Sequence, residues 1–180
     1  MEPEGHRRRL RRVAQAGHAR FLTFSCHRRL PLLDHDGIRG LFVDRLAKVC
    51  ASEQVRLLGW VIMPEHVHLL VFPETEPDIE RFSHTLKRPV AEAVLRRWKG
   101  LDAPILRRIV HGTGYRFWQT GGGYDRNLFN PEALREKVQY MHDNPVRRGL
   151  VKAATDYAWS SARWYAGVPD AKLPCGELPG

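Results

Sequence analysis

Apolar residues along this chain recur with two periods, and the switches between them mark the elements. From Ala19 to Cys26, Leu22, Phe24 and Cys26 alternate with Phe21, Thr23 and Ser25, the period-two pattern of a strand. Val55–Met63 and Val67–Phe72 are two more apolar runs, and Pro64-Glu65 between them predicts a hairpin turn. Helical spacing governs three other stretches. Ile38, Leu41, Phe42, Leu46 and Val49 predict a helix over 38–52, introduced by Asp36-Gly37. Ile79, Phe82, Leu86, Val90, Val94 and Leu95 predict a second over 78–98, with Pro89 as a kink or interruption. Leu134, Val138 and Met141 predict a third over 131–142. It starts at Asn130-Pro131-Glu132, where Asn caps and Pro takes the first helical position, and it stops before Asn144-Pro145. Tyr115–Gln119 is expected to form a short fourth strand or its edge. Gly121 to Arg126, opening on three glycines, is expected to be an irregular loop, without the spacing of a phosphate-binding loop.

Strand, helix, strand, strand, helix, strand, then an extra helix is the order of an α+β, ferredoxin-like βαββαβ domain. One antiparallel sheet would carry both crossover helices on one face. The first and third strands would be central, and the added C-terminal helix would lie near the open face. This predicts a single domain over residues 19–165, a basic flexible arm over 1–18 and a loose Pro/Gly-rich tail over 166–180. Tyr157 and Trp159 are expected to pack onto the domain.

The charge balance narrows the partner. Lys and Arg number 29 against 20 Asp and Glu, a net +9 over 180 residues. That excess suits a polyanion, and its clustering favours nucleic acid. Arg7, Arg8, Arg9, Arg11 and Arg12 crowd into the arm; Lys87 and Arg88 stand on the basic side of the second helix; Arg147 and Arg148 follow the third. These are the candidate nucleic-acid contacts. No apolar run approaches the roughly 20 residues that span a bilayer, so no membrane association is expected. Three cysteines without C-x-x-C spacing point to reduced thiols in a cytosol.

Within Trp60–Phe72, read WVIMPEHVHLLVF, two histidines alternate with one valine. On a strand His66 and His68 therefore point the same way, roughly 7 Å apart at the backbone, close enough for both imidazoles to meet one metal ion. Alternatively, they are two histidines on a solvated sheet face. If the third helix crosses nearby, Asn144 is a candidate third ligand through its carbonyl oxygen, and a local helix-ending role is its other reading. Three neutral ligands leave the ion its full charge, which fits Mg2+ or Mn2+ with a phosphate completing the shell. A tyrosine hydroxyl beside such an ion is a candidate nucleophile toward DNA phosphate. Tyr140, at the edge of the third helix's stripe and one turn before Asn144, is in the position to supply it.

The segments MPEHVHLLV, FWQTGGGYDRNLFNPEALREKVQYMHDNPVRRGLV and DYAWSSARWY resemble the REP-associated tyrosine transposases, relatives of the single-tyrosine insertion-sequence transposases within the HUH endonucleases. The resemblance runs from about Phe21 to Tyr165. It implies that His66 and His68 are the metal-binding pair, that Tyr140 is the catalytic tyrosine, and that the substrate is single-stranded or hairpin DNA from palindromic repeats. In the insertion-sequence relatives a glutamine stands where this chain has Asn144, a departure that bears on the third ligand and not on the first two. The expected function is a metal-dependent single-stranded DNA endonuclease and strand transferase, working as a monomer or homodimer. The competing readings are a non-catalytic nucleic-acid-binding domain of the same fold, and a zinc hydrolase, for which no further zinc ligands stand at recognisable spacing.

Overall fold

A computed structural model describes residues 18–75, 78–120 and 123–179. The alternating segments become strands where predicted: β1 is Ala19–Ser25, and after helix α1 (Asp36–Ser52) come β2 (Val55–Ile62) and β3 (His66–Pro73). Helix α2 (Ile79–Gly100) follows, its N-terminus capped by the Asp78 carboxylate, which accepts from Arg81 N at 2.7 Å. A two-residue hairpin, β4 (Val110–His111) and β5 (Gly114–Tyr115), precedes β6 (Tyr124–Leu128). Helix α3 (Pro131–Arg147) and a single turn, α4 (Ala162–Tyr165), complete the elements. The main sheet has the order β2-β3-β1-β6, every pair antiparallel, so β1 and β3 are central as the ferredoxin-like order requires.

Each face of this sheet is covered by its own layer. Leu22, Phe24, Val67, Leu69 and Val71 are buried with Phe42, Leu46 and Val49 of α1 and Phe82, Leu86 and Val90 of α2. The other face carries Phe21, Thr23, His66 and His68, and α3 packs on it against β2 and β3. Gly59 of β2 faces this helix: a Cβ there would lie 2.7 Å from Cε, the flexible end of the Met141 side chain. Its position beside a register shift in the β2–β3 ladder fits the same need for local space.

Three expectations are corrected. The fourth strand of the sheet is Tyr124–Leu128, within and beyond the stretch expected to be an irregular loop. In Tyr115–Gln119, Tyr115 belongs to the small hairpin and Trp118 makes one isolated bridge to Cys26. The strand carries almost no apolar alternation, so nothing in its pattern announced it. It is fixed instead by Arg20, 2% exposed, whose Nε donates to Asp125 Oδ1 at 2.9 Å. Gly123 is a true glycine position, since at φ +74° a Cβ would meet Thr23 O at 2.1 Å. Helix α3 also runs past Asn144-Pro145 to Arg147, and Pro89 does not interrupt α2. Pro145 falls in the final turn of α3, where its missing N–H costs one bond, its own side chain is buried, and its carbonyl accepts from Leu150 N at 2.9 Å.

Replacing Asp125 with Ala leaves the buried Arg20 guanidinium unpaired and is expected to cost about 3 kcal/mol of stability. Urea unfolding of the two proteins measures it. A loss under about 0.5 kcal/mol would mean that the ion pair does not hold β6 in place.

The DYAWSS segment closes the exposed edge of β2. Ile62 N donates to Trp159 O at 2.8 Å, Ser161 N to Trp60 O at 2.9 Å, and the Tyr157 hydroxyl to Ile62 O at 2.8 Å. From Ala166 onward there is no helix or strand among the described residues, yet Gly176 N donates to Leu57 O at 2.7 Å and Leu173, Cys175 and Leu178 pack on the core. The segment expected to be a loose tail is thus irregular but held. Cys26, Cys50 and Cys175 are free thiols, each pushed up to about 12 by burial. No helix among the described residues is long and apolar enough to cross a membrane. The arm containing Arg7, Arg8, Arg9, Arg11 and Arg12 lies outside the described residues.

His142 of α3 is buried against this edge segment, its Nε2 2.9 Å from Ser161 Oγ, and burial pushes its imidazole down to about 4. The unfolded chain takes up that proton near pH 6.5 and the folded one does not until about pH 4. Stability from this residue is therefore complete above pH 6.5, falls as pH drops, and levels off below pH 4 after a loss of about 3 kcal/mol. Unfolding free energies of wild type and His142→Gln across this range test it, since the variant should lack that part of the acid slope.

Candidate active site

The site is built from two adjacent central strands and the helix laid over them. Thr23 of β1 is paired in register with His68 of β3, and Ser25 with His66. The imidazoles, both buried, bring their Nε2 atoms to 3.0 Å of each other. Each Nδ1 is already engaged: that of His66 lies 3.0 Å from Glu65 Oε1, and that of His68 lies 2.8 Å from Thr23 Oγ1. An ionised carboxylate only accepts, so His66 carries its proton on Nδ1 and turns the lone pair of Nε2 toward His68. With His68 Nδ1–H donating to the Thr23 hydroxyl, both Nε2 lone pairs converge on one point.

Burial depresses both imidazoles. His68 falls to about 3, its burial reinforced by the charges of His66, Arg29 and Lys137; His66 is lowered by burial against the opposing pull of Glu65. Neutral rings are the ligand form. Burial alone would raise the Glu65 carboxyl, but His66 and Arg148 outweigh it and hold Glu65 below the usual carboxylate range. Arg148 Nη1 donates to Glu65 Oε1 at 2.9 Å and Arg29 Nη2 approaches the same oxygen at 3.4 Å. A carboxylate behind a histidine is the usual outer partner of a metal ligand.

The donor geometry fits a divalent ion. Two nitrogens each about 2.1 Å from one ion, at right angles, are separated by about 3.0 Å, the observed spacing. Helix α3 then places Tyr140 beside the pair: its ring centroid is 5.6 Å from that of His68 and 6.2 Å from that of Phe21, and 39% of the residue is exposed. Lys137 Nζ lies 5.4 Å from the Tyr140 ring and Arg147 Cζ 5.8 Å from it. A phosphodiester reaching the hydroxyl would thus meet two cations.

Of the residues singled out in the sequence, His66, His68, Tyr140 and Arg147 come together here. Asn144 is half-buried one turn beyond Tyr140, and its carboxamide has no hydrogen-bond partner among the described residues. Arg148 is turned to Glu65. Arg88 is paired with Glu92, Nε to Oε1 2.6 Å, on the solvent side of α2. Lys87 is part-buried with its Nζ 5.0 Å over the Phe24 ring. Sequence reasoning passed over Glu65, Thr23, Arg29 and Lys137. Lys137 was within reach, being three residues before Tyr140 on one helix. So was Glu65, an acid next to a histidine pair in an apolar run. Thr23 and Arg29 follow only from strand pairing and loop geometry.

Residues 17–130 match the family model described as "Transposase IS200 like". A REP-associated tyrosine transposase from Escherichia coli (strain K12) is 25% identical over 118 residues. That match covers 64% of this chain and 59% of the relative, so less than two thirds of that protein's length is represented. Among solved structures, a REP-associated tyrosine transposase bound to a REP hairpin superposes with a TM-score of 0.66 at 24% identity, over 94% of this chain and 92% of the other.

Proposed function

The chain belongs to the IS200-like transposase family, and from that premise we propose that it is a metal-dependent, single-stranded DNA endonuclease and strand transferase with Tyr140 as nucleophile. The observation that carries this reading is the convergence of the two His Nε2 atoms 3.0 Å apart with the Tyr140 ring beside them. His66 and His68 would hold Mg2+ or Mn2+, with Asn144, one turn beyond Tyr140, as the candidate third ligand. When bound, the ion withdraws charge from the scissile phosphate's oxygens. The Tyr140 hydroxyl loses its proton as its oxygen attacks phosphorus, the phosphorus–O3′ bond breaks, and the departing 3′ oxygen takes up a proton. The product is a 5′-phosphotyrosine, and attack by a 3′-hydroxyl reverses the step without any external energy source.

The exposed cations fit a nucleic-acid partner. Lys137 and Arg147 flank the nucleophile, and the arginines of residues 7–12 supply further phosphate contacts. Arg148 acts through Glu65, coupling the end of α3 to the strand that carries His66. The relative's bound REP hairpin makes a hairpin with a single-stranded flank the natural substrate to try. Such a labelled DNA should be cut in Mn2+ and left intact in EDTA. Binding without cutting in Mn2+, Mg2+ or other divalent ions would favour the non-catalytic reading.

A further inference from the structure

Beside the site, at the sheet edge where β6 parts from β1, lies a second cavity of about 260 Å3. Its walls include Ser25, Arg29, Lys87, Gln119, Thr120 and Tyr124. Thr23 lines it as well, and the same threonine's hydroxyl is 2.8 Å from His68 Nδ1. The cavity therefore opens one residue away from the imidazole pair.

Its chemistry has one sign. No carboxylate lines it among the described residues. Lys87 has no acidic partner there, and burial lowers its ammonium, the cost of a cation kept without a counter-charge. Arg29 makes only the 3.4 Å approach to Glu65, and its side chain is 60% exposed. Gln119 is anchored twice: its N–H donates to Ser25 O at 2.8 Å, and its carboxamide oxygen accepts from Arg28 N at 3.2 Å. That leaves the carboxamide NH2 as a donor. The Tyr124 ring, in a residue 47% exposed, offers a flat apolar face.

Two cations, amide and hydroxyl donors and an aromatic face around a small cavity match one unpaired nucleotide. We propose that this cavity holds a nucleotide of the single strand flanking the scissile phosphate. Its phosphate pairs with Lys87 and Arg29, its base edge meets Gln119, and its ring stacks on Tyr124. This rests on the nuclease reading for the word "scissile", but the binding it asserts is measurable without any cutting.

Fluorescence anisotropy of a labelled single strand of random sequence, in EDTA, compares wild type with Lys87→Gln and Tyr124→Ala. Both should bind on the order of tenfold more weakly, and Lys87→Gln should also lower the salt slope by about one. If Lys87→Gln lowers the melting temperature, Tyr124→Ala and Gln119→Leu, both at exposed positions, decide the matter. Wild-type affinity in Tyr124→Ala and Gln119→Leu overturns the pocket, whether or not the protein cuts DNA. Weakened binding in these variants with no cutting by wild type in Mn2+ sustains the pocket and overturns the nuclease reading alone.

Discussion

Changing Tyr140 to Phe is expected to abolish the covalent protein–DNA adduct that wild type forms in Mn2+, lowering cleavage by a factor on the order of 10³ or more. The substitution removes one oxygen and keeps the ring, so its edge contacts with Phe21 and His68 persist. Folding and DNA affinity should therefore be unchanged. Denaturing electrophoresis with labelled DNA reads the result, because only a tyrosine ester survives the denaturant. An adduct that persists in Tyr140→Phe would assign the nucleophile elsewhere, and wild-type cutting with no adduct would mean that water attacks the phosphate.

The second large effect is on metal binding. His66→Ala and His68→Ala should each reduce Mn2+ affinity by more than about 100-fold, beyond the 10–100-fold typical of losing an outer partner. Glu65→Gln, which keeps the shape but removes the carboxylate behind His66 Nδ1, should fall within that smaller range. Calorimetric titration with Mn2+ measures all three without reference to activity. Single-stranded DNA binding in EDTA should be the same in the two histidine variants, since the cations lie outside the imidazole pair, whereas Glu65→Gln also releases Arg29 and Arg148. Unchanged Mn2+ affinity in either histidine variant would remove the two rings as a joint ligand set.

Much of this architecture is legible in the pattern of apolar residues, and the exceptions share a cause. β1 alternates, β2 and β3 are apolar runs buried on both faces, and α1, α2 and α3 carry stripes at helical spacing. β6 reads Tyr-Asp-Arg-Asn-Leu and sits at the sheet edge, with only Leu128 buried. Its pairing is decided by Arg20 and Asp125, 105 residues apart, which no local window can register. The true end of α3 is likewise a tertiary matter, because burial of Pro145 offsets the loss of one backbone bond in the last turn.

Period two alone puts His66 and His68 on one face of their strand. The sequence by itself also placed Tyr140 and Asn144 one helical turn apart on a capped helix, and it put a net positive charge on the chain. Which way the imidazoles turn was decided only by the tertiary structure. Glu65 and Thr23 occupy the two Nδ1 atoms and leave both Nε2 atoms facing each other. Tertiary packing likewise brought Arg148, its side chain still half exposed, to Glu65, and set Tyr140 beside His68. Glu65 is the neighbour of His66, but Thr23, Arg29 and Arg148 reach their partners across 36 to 83 positions, and a one-dimensional pattern carries no record of them.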